Sequence, residues 1–185
     1  MDIFTIIWAS WFISEILLSR LSRSKSPGSK RRDKNSLRLM WITIIISITL
    51  GVLMMIYIPL PISASTITGY IGLILIVCGV LIRFVAIRTL GNFFTVNLAI
   101  HDDHRIVNTG LYKYIRHPSY TGSLLSFIGL GVSFNNWISL CVIIIPVLFS
   151  FIYRINVEEK LMLRQFGLEY VKYMKSTKRL IPLIY

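Results

Sequence analysis

The sequence WITIIISITLGVLMMIYIPL occupies residues 41–60 and contains no charged side chain. An α-helix rises about 1.5 Å per residue, so a helix of this length reaches about 30 Å, the thickness of the hydrocarbon core of a bilayer. A helix on the surface of a soluble protein would instead show a polar face. The stretch therefore predicts a membrane-spanning helix and places the chain among the all-α integral membrane proteins.

Four further apolar runs flank this stretch, at residues 3–18, 67–87, 120–134 and 137–153. Only Asn135 and Asn136 separate the last two runs, which predicts a tight helical hairpin. Only 15% of the residues are charged, whereas soluble domains have about 25%. The sequence therefore predicts five transmembrane helices in one domain, because 185 residues leave little chain for a second.

The basic residues are segregated along the chain. Of the 20 lysines and arginines, all but Arg83 lie in the polar segments at residues 20–38, 88–118 and 154–185. Five spans place these segments on one side of the membrane, and lysine and arginine favour the cytoplasmic side. The N-terminus is therefore predicted to lie outside, and the C-terminus in the cytoplasm. The same topology explains the net charge of +12, so a nucleic-acid partner is not predicted.

Four residues inside the apolar runs need an explanation: Glu15, Arg83, Cys78 and Cys141. An ionisable side chain in a span is costly, so Glu15 is expected to be buried or to line a cavity. Arg83 is expected to extend to the cytoplasmic interface. The cysteines match neither a zinc-ligand spacing nor a disulfide framework and are expected to be small buried hydrophobes.

Four potential metal ligands stand in a row: His101, Asp102, Asp103 and His104. Adjacent residues rarely converge on one ion, and no other region completes a familiar set of ligands. No metal site is therefore predicted.

A polar segment precedes the fourth apolar run, and its residues 110–122 read GLYKYIRHPSYTG. Pro118 suits the first turn of a helix, where its missing N–H group does no harm. His117 and Arg116 then lie at the mouth of the fourth span, where unpaired N–H groups could receive a carboxylate. Interfacial basic and tyrosine side chains would give the same pattern, and the residues alone do not decide between the two interpretations.

Arg154 and Glu158 stand four residues apart at the end of the fifth run, on one face of a helix. A surface ion pair would explain this spacing. Alternatively, the guanidinium binds a ligand carboxylate and the glutamate pairs with an ammonium group. The polar tail is predicted to be helical as far as Pro182. Its aromatic residues recur at a helical spacing that is more typical of packing than of a cofactor site: Phe166, Tyr170 and Tyr173.

Taken together, these stretches resemble the isoprenylcysteine carboxyl methyltransferase family. The resemblance rests on four stretches in this order: residues 110–122, RINVEE at 154–159, FGLEY at 166–170 and RLIP at 179–182. It covers about half the chain, residues 90–182, and the five-run layout is similar to that of small prokaryotic members. It implies an enzyme that transfers a methyl group from S-adenosylmethionine to a lipophilic acceptor at the cytoplasmic face, such as the carboxylate of a prenylated cysteine.

The resemblance also implies a cytoplasmic cofactor pocket, formed by the segment before the fourth span and the C-terminal helix. The residues that match the family's cofactor contacts are Asn97, His104, Arg105, Ile106, Val107, Tyr112, His117, Pro118, Ser119, Tyr120 and Glu158. Asn97 stands where the family has a glutamine. Arg154 matches the position that holds the substrate carboxylate, and together with Glu158 it is expected to form the catalytic pair.

The nature of the methyl acceptor decides which chemistry is needed. A carboxylate is already ionised at neutral pH, so its methylation depends on orientation and on the exclusion of water. An amine, such as a phospholipid headgroup, would need a base, and His117, His104 or Glu159 could provide one.

Two other classes of protein remain open. One is a membrane reductase that uses NADPH on a similar helical core, although the chain is short for it. The other is a non-catalytic membrane protein, such as a lipid-binding anchor or a small transporter, whose basic loops contact anionic lipid.

Overall fold

The computed structural model describes residues 3–21, 35–91 and 106–181 of the chain. Its helices, in chain order, are α1 (Ile3–Leu21), α2 (Asn35–Tyr57), α3 (Ile67–Leu90), a 3₁₀ helix (Gly110–Lys113), α4 (Pro118–Ser133), α5 (Trp137–Phe166) and α6 (Leu168–Ser176). Within these ranges a single isolated β-bridge joins Ile115 to Lys178. The prediction of an all-helical fold is confirmed.

The lengths and outer surfaces of the helices are those of a membrane protein. By length and composition, α2, α3 and α5 can each cross a bilayer. The apolar part of α1 is shorter, Ile3–Leu17, and α4 has 16 residues. Large apolar side chains point outward from the long helices, for example Ile45, Ile74 and Phe149. Since lipid is apolar, such outward faces are the expected surface of a membrane-embedded bundle. The count of five spans stays a prediction.

Two helix ends differ from those predicted. The apolar run ends at Tyr153, but α5 continues to Phe166 because its polar extension consists largely of good helix formers such as glutamate, leucine, methionine and lysine. The tail is helical over much of its length, as predicted, but the helix is interrupted and does not reach Pro182. Gly167 adopts a φ of 53°, a left-handed conformation that ends a helix and that glycine adopts without strain. A separate α6 follows and ends at Ser176.

Helices α3 and α4 pack with their backbones in direct contact. A Cβ atom on Gly122 would lie 2.6 Å from the carbonyl oxygen of Gly79, and one on Gly129 would lie 2.6 Å from that of Gly72. Ser126 lies between the two glycines of α4 and donates to the carbonyl of Ile76 at 3.3 Å. Small residues at such a spacing allow the close helix contacts that are common in membranes.

The predicted hairpin between α4 and α5 is present. Asn135 adopts a φ of 48°, and its side chain donates to the carbonyl of Ser63 at 2.8 Å. The side chain of Asn136 caps α5 by accepting from the N–H of Ser139 at 3.0 Å. It also donates to the carbonyl of Ile58 at 2.7 Å. The two asparagines therefore turn the chain and join the hairpin to the link between α2 and α3.

Helix α1 packs against α3 and α4 largely through aromatic side chains. The ring of Trp11 lies 5.1 Å from that of Phe127, and the ring of Trp8 lies 5.0 Å from that of Phe134. Trp8 also donates from its indole nitrogen to the hydroxyl of Ser133 at 2.9 Å. On the opposite side of the bundle, α2 packs along α5.

Three residues inside the apolar runs behave differently from the expectation. Cys78 and Cys141 are exposed rather than buried, because a helix in lipid keeps apolar side chains on its outer face as well as in its core. Arg83, which was expected to extend to the interface, is largely buried and paired inside the bundle. Its Nη2 lies 3.3 Å from Oε2 of Glu15, which is buried as predicted. The guanidinium is therefore paired with an opposite charge inside the bundle.

Candidate active site

The start of α4 is the centre of the candidate site. His117 is the N-cap residue of α4 and Pro118 occupies the first helical position, as the sequence predicts. The C-terminal segment, residues 177–181, runs beside this start. The N–H of Arg116 donates to the carbonyl of Lys178 at 2.7 Å, and that of His117 donates to the carbonyl of Arg179 at 3.1 Å. The residues before α4 are therefore held by the end of the chain.

The N–H groups at the mouth of α4 are largely engaged within the protein. Those of Tyr120 and Thr121 both donate to the carbonyl of His117, at 3.0 and 3.1 Å. The N–H of His117 is bonded to the C-terminal segment. Fewer N–H groups are therefore available to a ligand carboxylate than the sequence suggests.

Arg154 and Glu158 form a buried cluster with neighbouring helices. Nε of Arg154 lies 3.1 Å from Oε1 of Glu158, and the Tyr120 hydroxyl donates to the same oxygen at 2.5 Å. Arg154 also donates to the hydroxyl of Ser36 in α2. Because Arg154 is 0% exposed, the interpretation as a surface ion pair is wrong. The Glu158 side chain remains 16% exposed, so its carboxylate is partly accessible.

Glu159 joins the start of α4 to the C-terminal segment. Its Oε1 accepts from Nε of Arg116 at 2.8 Å, and its Oε2 lies 2.7 Å from Nη2 of Arg179. Arg116 also donates to the carbonyls of Met174 and Thr177, at 3.1 and 2.5 Å. From the sequence, Glu159 is predicted only as a possible base, and this structural role is not predicted. The partners lie far apart in the sequence, and no local pattern connects them.

His117 lies between the two adjacent glutamates. Its Nδ1 is 3.6 Å from Oε2 of Glu158, and its Nε2 is 3.4 Å from Oε1 of Glu159. The ring is largely buried, and its Nε2 faces the Glu159 carboxylate rather than an open surface. The site thus contains an imidazole ring between two carboxylates.

Three tyrosines pack beside this cluster. The Tyr173 hydroxyl donates to the carbonyl of Tyr112 at 2.8 Å, and its ring lies 5.9 Å from that of Tyr170. Burial raises the pKa of Tyr112 and of Tyr170 above the ordinary range, and it raises the pKa of Tyr173 to about 12. All three phenols are therefore protonated at neutral pH. The packing role predicted for the aromatic residues of the tail is confirmed for Tyr170 and Tyr173.

The predicted site residues fall into three groups. Those that lie in or beside the cluster are Tyr112, His117, Pro118, Ser119, Tyr120, Arg154 and Glu158. Ile106 and Val107 begin the last described range. Asn97, His104 and Arg105 lie outside the described residues, as do the other members of the row of potential metal ligands. In the ranges that the structure describes, no group of three or more histidine, cysteine, aspartate or glutamate side chains could hold a metal ion.

A groove of about 560 Å³ lies between the segment before α4 and α6. Its lining residues are Ile106, Asn108, Lys113, Glu169, Lys172, Tyr173, Ser176 and Thr177. The groove therefore lies between the two elements from which the sequence predicts a pocket. Of the predicted cofactor contacts, however, its described lining includes only Ile106.

Comparisons with known proteins agree on one family. The model of the isoprenylcysteine carboxyl methyltransferase (ICMT) family matches residues 72–164. A probable protein-S-isoprenylcysteine O-methyltransferase of Oryza sativa subsp. indica is 33% identical over 63% of this chain and 62% of its own length. The protein-S-isoprenylcysteine O-methyltransferase of Saccharomyces cerevisiae is 34% identical over 65% of this chain and 52% of its own.

A solved structure shows the same architecture. It is that of the eukaryotic intramembrane Ras methyltransferase ICMT, which matches with a TM-score of 0.70 and 26% identity. The match covers 98% of this chain and 65% of that one. The present chain thus spans about three fifths of the length of the rice relative and about half that of the yeast relative.

The family match extends from α3 to the polar extension of α5. It includes the start of α4, with His117 and Tyr120, and the part of α5 that carries Arg154, Glu158 and Glu159. The resemblance seen in the sequence is therefore confirmed, and the chain belongs to the isoprenylcysteine carboxyl methyltransferase family.

Proposed function

We propose that this protein transfers a methyl group from S-adenosylmethionine to a lipophilic acceptor, most simply the carboxylate of a prenylated cysteine. Family membership supports the reaction class, since the named relatives are protein-S-isoprenylcysteine O-methyltransferases. The structural observation that carries the proposal is the partly exposed carboxylate of Glu158, held by Arg154 and Tyr120 beside His117. Apolar outer faces on the helices suit an acceptor that arrives through the bilayer.

The residues at the site suit the proposed cofactor. S-adenosylmethionine carries a cationic ammonium group and a cationic sulfonium, and the cluster offers a partly exposed carboxylate at Glu158. The imidazole of His117 lies beside this carboxylate, with Nδ1 3.6 Å from Oε2 of Glu158. When bound, S-adenosylmethionine would supply a methyl group attached to positively charged sulfur. We assign its binding to Asn97, His104, Arg105, Ile106, Val107, Tyr112, His117, Pro118, Ser119, Tyr120 and Glu158.

The chain's own residues would bind and orient the reactants. Glu158 pairs with the ammonium group, while the Tyr120 hydroxyl keeps the carboxylate in position. A carboxylate acceptor needs no base, so the protein's contribution is orientation and the exclusion of water by the helices around the cluster. An amine acceptor would instead require proton removal, for which His117, His104 and Glu159 are the candidate bases.

Arg154 has two distinguishable roles in this proposal. The resemblance assigns it to the acceptor carboxylate. Its guanidinium is fully buried and bonded to Glu158 and to Ser36, so an acceptor would have to displace one of these partners. The other role is to fix Glu158 for the cofactor.

Substitutions at the cluster test the proposal. His117→Ala and Glu158→Ala each remove a charge-assisted contact worth about 1.5–3 kcal/mol, so the Kd for S-adenosylmethionine should rise about tenfold to a hundredfold. The matched control is Lys160→Ala, which removes an exposed charge from the polar extension of α5 and should leave the Kd unchanged. An unaltered Kd in both site variants would contradict the site assignment.

Arg154→Ala separates the two roles of the arginine. If Arg154 binds the acceptor, the variant keeps its affinity for S-adenosylmethionine and loses turnover on a prenylated cysteine analogue. If Arg154 fixes Glu158, the affinity for S-adenosylmethionine falls by about as much in Arg154→Ala as in Glu158→Ala. Calorimetry and a methyl-transfer assay with labelled cofactor measure the two quantities separately. Normal values of both would remove Arg154 from the site.

We also propose the membrane arrangement that the charges favour. Five spans place the N-terminus outside and bring the three basic segments, with the active site, to the cytoplasmic face. In this arrangement α1 and α4 both cross the bilayer, although each is shorter than the other spans. A reporter fused after Tyr185 tests this orientation.

A further inference from the structure

An ion pair lies inside the bundle and plays no part in the proposed chemistry. Nη2 of Arg83 in α3 is 3.3 Å from Oε2 of Glu15 in α1, and the two side chains are only 12% and 11% exposed. Paired charges in the apolar part of a membrane protein are expensive and are usually retained for function. A pair of apolar residues would hold α1 in place at lower cost.

The other terminal nitrogen of Arg83 contacts the first turns of α4. Nη1 donates to the carbonyl of Ser119 at 3.4 Å and to the hydroxyl of Ser123. The backbones are also close here, since a Cβ atom on Gly122 would lie 2.7 Å from the backbone nitrogen of Arg83. A single guanidinium therefore joins α1, α3 and the beginning of α4.

These contacts lie next to residues of the candidate site. Ser119 directly precedes Tyr120, whose hydroxyl donates to Glu158, and follows His117 by two positions. A shift of this turn would move both the tyrosine and the imidazole relative to the two glutamates of α5. The planar fork of arginine suits the arrangement, because its terminal nitrogens donate in different directions at the same time.

We infer that Arg83 is a positioning residue: held by Glu15, it fixes the first turns of α4 and thereby the cofactor-binding side chains that follow His117. The identity of the bound ligand rests on the proposed function. The effect of Arg83 on the position and stability of α4 does not depend on that proposal. The simpler alternative is that the ion pair only attaches α1 to the bundle.

The double variant Glu15→Leu/Arg83→Met distinguishes the two interpretations. It removes both charges together, so no unpaired charge is left inside the membrane, and replacements of this kind often preserve folding. The matched control is Arg88→Met, the same substitution at an exposed arginine of α3. Thermal unfolding in detergent first establishes that each protein is folded.

Two measurements then follow on the folded proteins. Amide hydrogen exchange of residues 120–123 should become at least about tenfold faster in the double variant, with no change along the middle of α5, because the carbonyl of Ser119 loses its side-chain donor. The Kd for S-adenosylmethionine should rise about tenfold, and Arg83→Lys should recover part of the loss. The control should match the wild type in both measurements.

The outcomes are separable. Wild-type exchange and wild-type affinity in the folded double variant would overturn the inference and leave only the attachment of α1. If the wild-type protein itself does not bind S-adenosylmethionine, the proposed function fails, while the exchange measurement still decides the role of Arg83.

If the double variant does not fold, Ser123→Ala decides instead, since it removes one contact of Arg83 without leaving a charge unpaired. Faster exchange of residues 120–123 supports the inference, and unchanged exchange overturns it.

Discussion

Replacing Glu159 by alanine would remove the carboxylate that Arg116 and Arg179 share. The Glu159 and Arg116 side chains are 4% and 7% exposed, and removal of one partner from a buried pair costs about 3–5 kcal/mol. Arg116 keeps its bonds to two carbonyls, which favours the lower part of this range. Arg179 is 27% exposed, so the loss of its pairing adds at most about 1 kcal/mol. The expected loss of stability is therefore about 3–4 kcal/mol.

Thermal unfolding of the detergent-solubilised protein measures this loss. For chains of this size, 1 kcal/mol corresponds to about 2–4 °C, so Tm should fall by about 6–16 °C. Glu159→Gln retains an oxygen that can accept from Arg116, so its loss of stability should be about half that of Glu159→Ala. Glu169→Ala removes an exposed carboxylate and should change stability by no more than about 0.5 kcal/mol. Small and equal shifts of Tm in Glu159→Ala and Glu169→Ala would refute the role assigned to Glu159.

Three further predictions concern packing, the turn and topology. Gly122→Ala brings a methyl group against backbone of α3 and should cost about 1–3 kcal/mol, whereas Gly69→Ala meets the outer edge of the partly buried Phe4 ring and should cost less; thermal unfolding compares them. Asn135→Val and Asn135→Gly both remove the side-chain bonds to Ser63, but only valine puts a β-branched residue at a φ of 48°, so Asn135→Val should lower Tm further; equal values would contradict the role of the turn. A reporter fused after Tyr185 should read as cytoplasmic, and an external signal would overturn the five-span topology.

Features that depend on local patterns could be predicted from the sequence. Long uncharged runs fix the apolar helices because a bilayer demands a minimum length. Pro118 indicates the start of α4 because it lacks an N–H group, and the asparagine pair indicates the hairpin. The stretch around His117, together with that around Arg154, indicated the family, which the comparisons confirm.

Features that depend on long-range contacts could not be predicted. The partners of Glu159 come from the segment before α4 and from the end of the chain, and the sequence does not state that these segments meet. The same holds for Arg83, since a lone arginine near the end of an apolar run is equally compatible with the interface and with an internal partner. The close contact of α3 and α4 had a visible signal that was not used, namely the small residues at helical spacing, for example Gly72 and Gly79.

The most direct test of the central claim is a calorimetric titration of the detergent-purified, folded wild-type protein with S-adenosylmethionine, with NADPH titrated in parallel. The proposed function predicts saturable binding of S-adenosylmethionine and no binding of NADPH. Binding of NADPH alone would contradict the methyltransferase assignment and favour a reductase. Binding of neither ligand would also contradict it and favour a non-catalytic membrane protein that retains the family's fold.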